Sequence, residues 1–340
     1  MPDSIQVGSE SHMSKKHSSS FFKDRIIDCH THCGIEWSNF YLGIHPYCQD
    51  ALSLSNTVDD CAVDFALVFT MPTTIYFDMF RYWREGKYYT TDNCDFPFQL
   101  ENHVLLQQIT TMRLDNLLPF LSFSLRDSVD RQVDYLRQLV KQYPVYGLKY
   151  HTAADQCSAQ DIAKLGKSFL EVAEEFNLPI TIHCNDDDLC NPLHILSLAA
   201  DYSHLRFCVA HYGKFLKSFF NELESGKYPN VFIDSAPTIS LCFRYGDTRN
   251  NATLSLDYSN PINVARFFFD NYSDRMLWGT DMPWVYYFRF MSDTVSNRAK
   301  RVSYRDEVLL LDEAVRDKKA LSSNQIRFLY GKGEVCDTKS

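Results

Sequence analysis

From residue 25 onward this chain alternates short apolar runs with longer amphipathic segments, and it does so eight times. The runs are Arg25–Cys29, Phe65–Phe69, Leu117–Phe123, Val145–Tyr150, Pro179–Ile182, Arg206–Ala210, Asn230–Asp234 and Arg275–Trp278. Several are apolar at nearly every position, as strands buried on both faces must be. The segments between them carry apolar residues at helical spacing: Val133, Leu136, Leu139 and Val140 in one, Ile162, Leu165, Phe169, Val172 and Phe176 in another. Strands alternating with helices pair in parallel through right-handed crossovers. An open doubly wound sheet and a closed barrel both satisfy that rule. Polar residues recur at the C-terminal ends of strands along the whole length, and in a barrel all such ends converge on one face. The expected fold is therefore α/β, a distorted (β/α)8 barrel of the TIM type.

A chain of 340 residues is long enough for one such barrel with insertions. Residues 1–20 are rich in Ser, His and Lys and read as a disordered tail. Residues 21–335 read as a single barrel domain. The stretch Gly8–Met13 resembles a cloning scar, and His12 and His17 are kept out of the site argument for that reason. Two connections are longer than plain links: residues 73–98 after strand two, dense in Phe, Tyr and Trp, and residues 236–260 after strand seven, which are polar. Insertions on that face usually cover or shape a site. The aromatic one reads equally well as a homodimer contact or a small satellite core.

Charge narrows the partners. There are 43 acidic and 34 basic side chains, a net charge of -9, which argues against nucleic acid and anionic membrane. No apolar run approaches the ~20 residues needed to span a bilayer, and no secretory signal is visible. Eleven scattered cysteines without a C-x-x-C pair fit reduced thiols in the cytoplasm.

The chemistry is carried by strand ends. His30 and His32 follow the first run, and residues two apart on a strand project to one side. His183 follows the fifth run, His211 the sixth and Asp281 the eighth. Imidazoles and a carboxylate gathered on one rim suit zinc, with manganese or iron as alternatives, and three or four protein ligands leave a position open for catalysis. A lone strand-end histidine is as readily a packed residue as a ligand. Five such residues at the ends of strands one, five, six and eight are a different matter. No Gly-rich phosphate loop, dinucleotide fingerprint or nucleophile elbow competes with this reading.

Ile27-Asp28-Cys29-His30-Thr31-His32, Gly147-Leu148-Lys149-Tyr150-His151, Ile180–His183, Ala210–Gly213, Leu277–Pro283 and Ser323–Gly331 together resemble the amidohydrolase superfamily, in its amidohydrolase-related branch of metal-dependent hydrolases and decarboxylases. The resemblance runs in order over residues 25–331. It implies one divalent metal, zinc first, held by His30, His32, His183 and Asp281. His211 would polarise a substrate carbonyl, and Asp281 would also take a proton from water activated at the metal. Lys149 and His151 would line the pocket. A carbamylated Lys149 bridging two metals, as in binuclear members, is the alternative. Asp28 is a candidate to hold a ligand imidazole from behind.

Substrate contacts are less constrained by sequence. Arg126 and Arg244 could pair bidentately with a substrate carboxylate. Trp37, Phe69, Trp284 and Tyr286 are candidate walls. The expected function is hydrolysis of a C–N or C–O bond at a carbonyl of a small molecule, such as an amide, a cyclic imide or a lactone. Non-hydrolytic decarboxylation of an aromatic or unsaturated acid keeps the same site and is the nearest rival. A non-catalytic interaction protein that retains the metal is the second.

Overall fold

The computed structural model describes residues 16–35, 48–71, 84–85, 95–246, 251–284, 286–289 and 298–331. Eight strands run parallel in sequence order: β1 (Ile27–Ile35), β2 (Phe65–Thr70), β3 (Leu117–Phe123), β4 (Gly147–Tyr150), β5 (Ile180–Ile182), β6 (Phe207–Val209), β7 (Val231–Asp234) and β8 (Met276–Leu277). The chain after β8 then returns to β1. Cys29 N–H donates to the Trp278 carbonyl at 2.8 Å, Asp281 N–H to His30 at 2.7 Å and His32 N–H to Met282 at 2.7 Å. These bonds close the sheet into a distorted (β/α)8 barrel. The two-residue strand Cys48–Gln49 adds antiparallel to the end of β1.

Local sequence explains where the helices begin. Asn191 caps the helix Pro192–Asp201 and Asn260 caps Pro261–Asn271, each side chain accepting a backbone N–H and each followed by the proline favoured at a first helical position. Ser303 and Asp306 form a capping box on the helix Tyr304–Ala314. The helices bury their apolar stripes against the outer face of the barrel, where Val68, Leu148, Ile182, Val209 and Ile233 meet Phe169, Leu196 and Phe268. The inner face is filled by Leu67, Phe69, Leu118, Phe120, Phe232 and Leu277. The barrel is thus a packed core with its open end at the strand C-termini.

Three local features differ from expectation. β1 runs on through both histidines instead of ending before them. A bulge between Asp28 and Thr31 breaks its alternation, so Cys29, which strict alternation from His30 would turn outward, joins the inner cluster. Residues 16–22, assigned in large part to a tail by composition, pack under the barrel. His17 N–H donates to Tyr146 Oη at 3.0 Å, and Tyr330 Oη donates to the His17 carbonyl at 2.7 Å. Most of the aromatic insertion after strand two lies outside the described residues. The strand-seven insertion contains the helix Thr238–Gly246, and a two-stranded ribbon, Tyr286–Arg289 with Arg298–Arg301, follows β8.

Candidate metal centre

The barrel closure delivers three groups to one point. His30 and His32 come from β1, and Asp281 is carried beside them by the hydrogen bond from its own N–H to the His30 carbonyl. His30 Nε2 lies 3.2 Å from His32 Nε2. Asp281 Oδ1 lies 3.4 Å from each of those nitrogens. Asp281 sits in the left-handed region at φ 60°, just after Gly279. A Cβ on Gly279 would come within 2.9 Å of the His30 Cβ and 3.1 Å of the Ala236 Cβ, so only glycine permits β8 to approach β1 here.

The ring tautomers follow from the partners on the far side. His32 Nδ1 is 3.1 Å from the Thr70 carbonyl, which can only accept, so its hydrogen sits there. His30 Nδ1 donates to Asp234 Oδ2 at 2.8 Å. Burial, reinforced by the Lys149 ammonium, holds His30 well below the usual imidazole range, and the ring is neutral. With the hydrogen of each ring on Nδ1, both Nε2 atoms present lone pairs to each other and to the Asp281 carboxylate. Three acceptors within 3.4 Å of one another cannot satisfy themselves. The described cation facing them is Lys149, whose Nζ is 3.2 Å from His30 Nε2 and 4.4 Å from the centre of the Phe69 ring. A divalent cation bound by two imidazoles and a carboxylate fits this donor set.

Asp234 was not singled out from sequence, and it organises the centre. Its Oδ2 takes the His30 ring, while its Oδ1 accepts from the backbone N–H of His211 at 2.8 Å and of Ala236 at 3.1 Å. The carboxylate is fully buried, and desolvation pushes its pKa up to about 6. The available signal was the run Val231–Asp234 ending in a carboxylate, the same pattern that drew attention to Asp281. Asp28 does not hold a ligand ring. Its oxygens accept from the backbone of His30 and from the backbone and hydroxyl of Thr280, which fixes β1 against the turn before Asp281.

His211 opens a turn in which five successive residues, His211 to Phe215, all have left-handed φ between 53° and 60°. Its Nδ1 donates to the Ala236 carbonyl at 2.6 Å, so its Nε2 is the acceptor for His183 Nδ1 at 3.0 Å. Burial keeps both rings neutral. His183 therefore keeps its lone pair on Nε2, and its ring stacks on His151 with centroids 3.9 Å apart. His183 and His211 adjoin the centre, but His183 is not in either group of ligand atoms lying within 4.8 Å of one another; those are His30, His32 and Asp281, and His30, His211 and Asp234.

The remaining candidates are dispersed. His151 Nδ1 accepts the Ala154 N–H and caps a short helix. Arg126 donates from Nε to the Asp155 carbonyl at 2.5 Å and is exposed. Arg244 lies 3.6 Å from Asp186 at the rim. Trp284 is half-buried beside Asp281, to whose carbonyl its N–H donates at 2.7 Å. Phe69 packs edge-on to both His30 and His32. Trp37 and the Tyr286 side chain lie outside the described residues. A second residue that sequence reading missed is Lys214, buried on the left-handed turn.

Comparison with known proteins bears on this geometry. A family model described as amidohydrolase matches residues 27–322. No curated protein sequence matches the chain. Among solved structures, a probable 2-pyrone-4,6-dicarboxylic acid hydrolase from Acinetobacter baumannii with citric acid bound superposes with TM-score 0.53 at 16% identity, covering 91% of this chain and 100% of the other. A 2,6-dihydroxybenzoate decarboxylase from Rhizobium gives TM-score 0.56 at 12% identity, with 90% and 98% covered. A dihydroorotase from Campylobacter jejuni gives 0.50 at 15%, with 90% and 80% covered. At these identities the structures show a shared fold.

Proposed function

Because the chain belongs to the amidohydrolase family and is an enzyme of that type, we propose that it is a metal-dependent hydrolase cleaving a C–N or C–O bond at the carbonyl of a small molecule. The observation that carries this is the set of three mutually facing acceptors, His30 Nε2, His32 Nε2 and Asp281 Oδ1. His30, His32 and Asp281 would hold the ion, with the free Nε2 of His183 as a further ligand candidate. A divalent ion bound there, zinc first, supplies Lewis acidity and brings the pKa of water to roughly 7.

The chain's own groups do the rest. Asp281 has a second oxygen, Oδ2, that can take a proton and later return it to the leaving group. His211 Nδ1 is 3.9 Å from that oxygen. Its hydrogen, now shared with the Ala236 carbonyl, is the donor it would release to a substrate carbonyl as charge develops. Lys149 and the Phe69 face form the inner wall. The described cysteines are all free thiols, which supports a reducing compartment such as the cytoplasm. No described helix is long and apolar enough to cross a membrane.

Decarboxylation of an aromatic acid is the second reading, favoured by the fold shared with the Rhizobium enzyme. The test is a panel of lactones, cyclic imides, amides and aromatic acids, with proton release and carbon dioxide release recorded together. Proton release from a lactone or amide without gas supports hydrolysis. Gas release from an aromatic acid replaces it with the second reading. Purified protein should hold about one equivalent of metal. Protein that neither holds nor takes up metal sinks both.

A further inference from the structure

We infer that Glu307 is a positioning residue for His211: from the helix Tyr304–Ala314 it clamps the start of the helix Thr238–Gly246, and through that start it fixes the Ala236 carbonyl that holds the His211 ring. The part His211 plays in turnover rests on the hydrolase reading above. The clamp itself does not.

His211 and Tyr212 need support from outside their own turn. Their φ values are 60° and 53°, and residues with a Cβ keep a left-handed conformation only where the surroundings fix it. The support comes from one stretch of chain, residues 234–238. Asp234 Oδ1 accepts the His211 N–H at 2.8 Å, and the Ala236 carbonyl accepts the ring Nδ1 hydrogen at 2.6 Å. The Thr238 hydroxyl donates to the Ser235 carbonyl at 2.9 Å, so the Tyr212 hydroxyl donates to Thr238 Oγ1, also at 2.9 Å.

That stretch is secured at both ends. On the β7 side, Ser235 N–H donates to the Leu277 carbonyl at 3.0 Å. On the other side the chain leaves the sheet and enters a helix whose first amides have no acceptor within it. Glu307 supplies one. Its Oε1 accepts the Ile239 N–H at 2.9 Å, just beyond Thr238, and a carboxyl opposite a helix N-terminus is favourably placed.

A packing role alone does not explain a carboxyl here. Glu307 is 0% exposed, and its Oε2 has no hydrogen-bond partner among the described residues. Burying a polar atom without a partner costs stability, and an apolar side chain would fill the same place without that loss. What the apolar side chain lacks is the acceptor for Ile239. Desolvation favours the neutral acid at this depth, the form that glutamine copies.

The experiment uses the full chain with isotope-labelled histidine, the ring N–H signals being read by NMR and that of His211 assigned by its loss in His211→Asn. Glu307→Met should shift or broaden the His211 Nδ1–H signal and leave in place that of His30, which Asp234 holds. Glu307→Gln should keep the wild-type signal. Leu136→Ala, a buried site on the helix Val129–Gln142 outside these contacts, should lower stability without moving it. Glu307→Asp withdraws the carboxyl by the length of a methylene and provides the same reading should the methionine variant fold poorly. With the substrate that the panel identifies, Glu307→Met should lower kcat roughly 10–100-fold at unchanged KM and metal content, the scale of a displacement of about 1 Å, and Glu307→Gln should restore it. A His211 signal that stays put in both the methionine and the aspartate variants overturns the inference and leaves the metal centre standing. A signal that moves while kcat does not upholds the clamp and counts against the part given to His211 in hydrolysis.

Discussion

Asp234 Oδ2 accepts the Nδ1 hydrogen of His30 at 2.8 Å, and neither side chain is more than 1% exposed. The same carboxylate holds the backbone at His211. One buried group thus sets the tautomer of a metal-ligand candidate on β1 and the position of a candidate catalytic histidine after β6.

Replacing Asp234 with asparagine should therefore disturb metal binding more than a remote substitution would. Asparagine offers a single acceptor oxygen, so either the His30 ring or the His211 and Ala236 amides must face an NH2 group. Loss of such a partner typically costs 10–100-fold in metal affinity. Competition against a chromogenic chelator should show a weakening of roughly that size, and unchanged affinity would remove Asp234 from the centre.

Asp281→Asn separates binding from proton transfer. The amide oxygen can still face His30 and His32, but it cannot accept a proton at neutral pH. Turnover of whichever substrate the panel identifies should fall by about 10²–10⁴, the usual contribution of a positioned acid–base group. Metal content measured in parallel should fall far less than it does when His30 and His32 are both replaced by alanine.

Stability should depend on pH through Glu307. This carboxyl, fully buried behind the barrel, has its pKa pushed up to about 8, first by desolvation and also by the nearby Asp28. In the unfolded chain it ionises near 4.5. Between those values the unfolded state releases a proton that the folded state retains, so stability is full below pH 4.5 and declines as pH rises toward 8. The upper bound on this effect is about 5 kcal/mol. Glu307→Gln keeps an acceptor for the Ile239 N–H and removes the titration. The gap between denaturant midpoints at pH 5 and pH 8 should narrow in the variant, with the remainder left to other buried carboxyls such as Asp234 and Asp28, and an undiminished gap would assign the effect elsewhere.

Gly279→Ala tests the close approach of β8 to β1. The added methyl would meet the Cβ of His30 at 2.9 Å and of Ala236 at 3.1 Å. Overpacking of this kind typically costs 1–3 kcal/mol. Urea unfolding should report that loss, and metal affinity should fall with it because His30 is the group displaced.

The barrel was legible because burial on both faces writes itself into sequence as unbroken apolar runs. His30, His32 and Asp281 were legible for a related reason: each is a polar residue where such a run ends. Asp234 has the same signature and was passed over, since a terminal aspartate on a strand is indistinguishable from a solvated one until its partners are known. Lys214 leaves still less trace. Its position depends on a left-handed turn, and Tyr212 and Lys214 are not residues that announce one. The inward place of Cys29 leaves no trace either, because a bulge shifts the alternation of β1 and the residues between Asp28 and Thr31 give no local sign of it. Residues 16–22 look like tail by composition, yet Phe22 is completely buried against the far end of the chain.

The hydrogen bonds that join β1 to the segment after β8 link parts of the chain some 250 residues apart, as in the Asp28–Thr280 pair. During synthesis the two histidines emerge some 250 residues ahead of the aspartate they must meet. No truncated product can assemble the set. An ion that binds only the joined segments would act as a clasp, favouring closure by mass action, so metal uptake would double as a check that β1 and the segment after β8 have met.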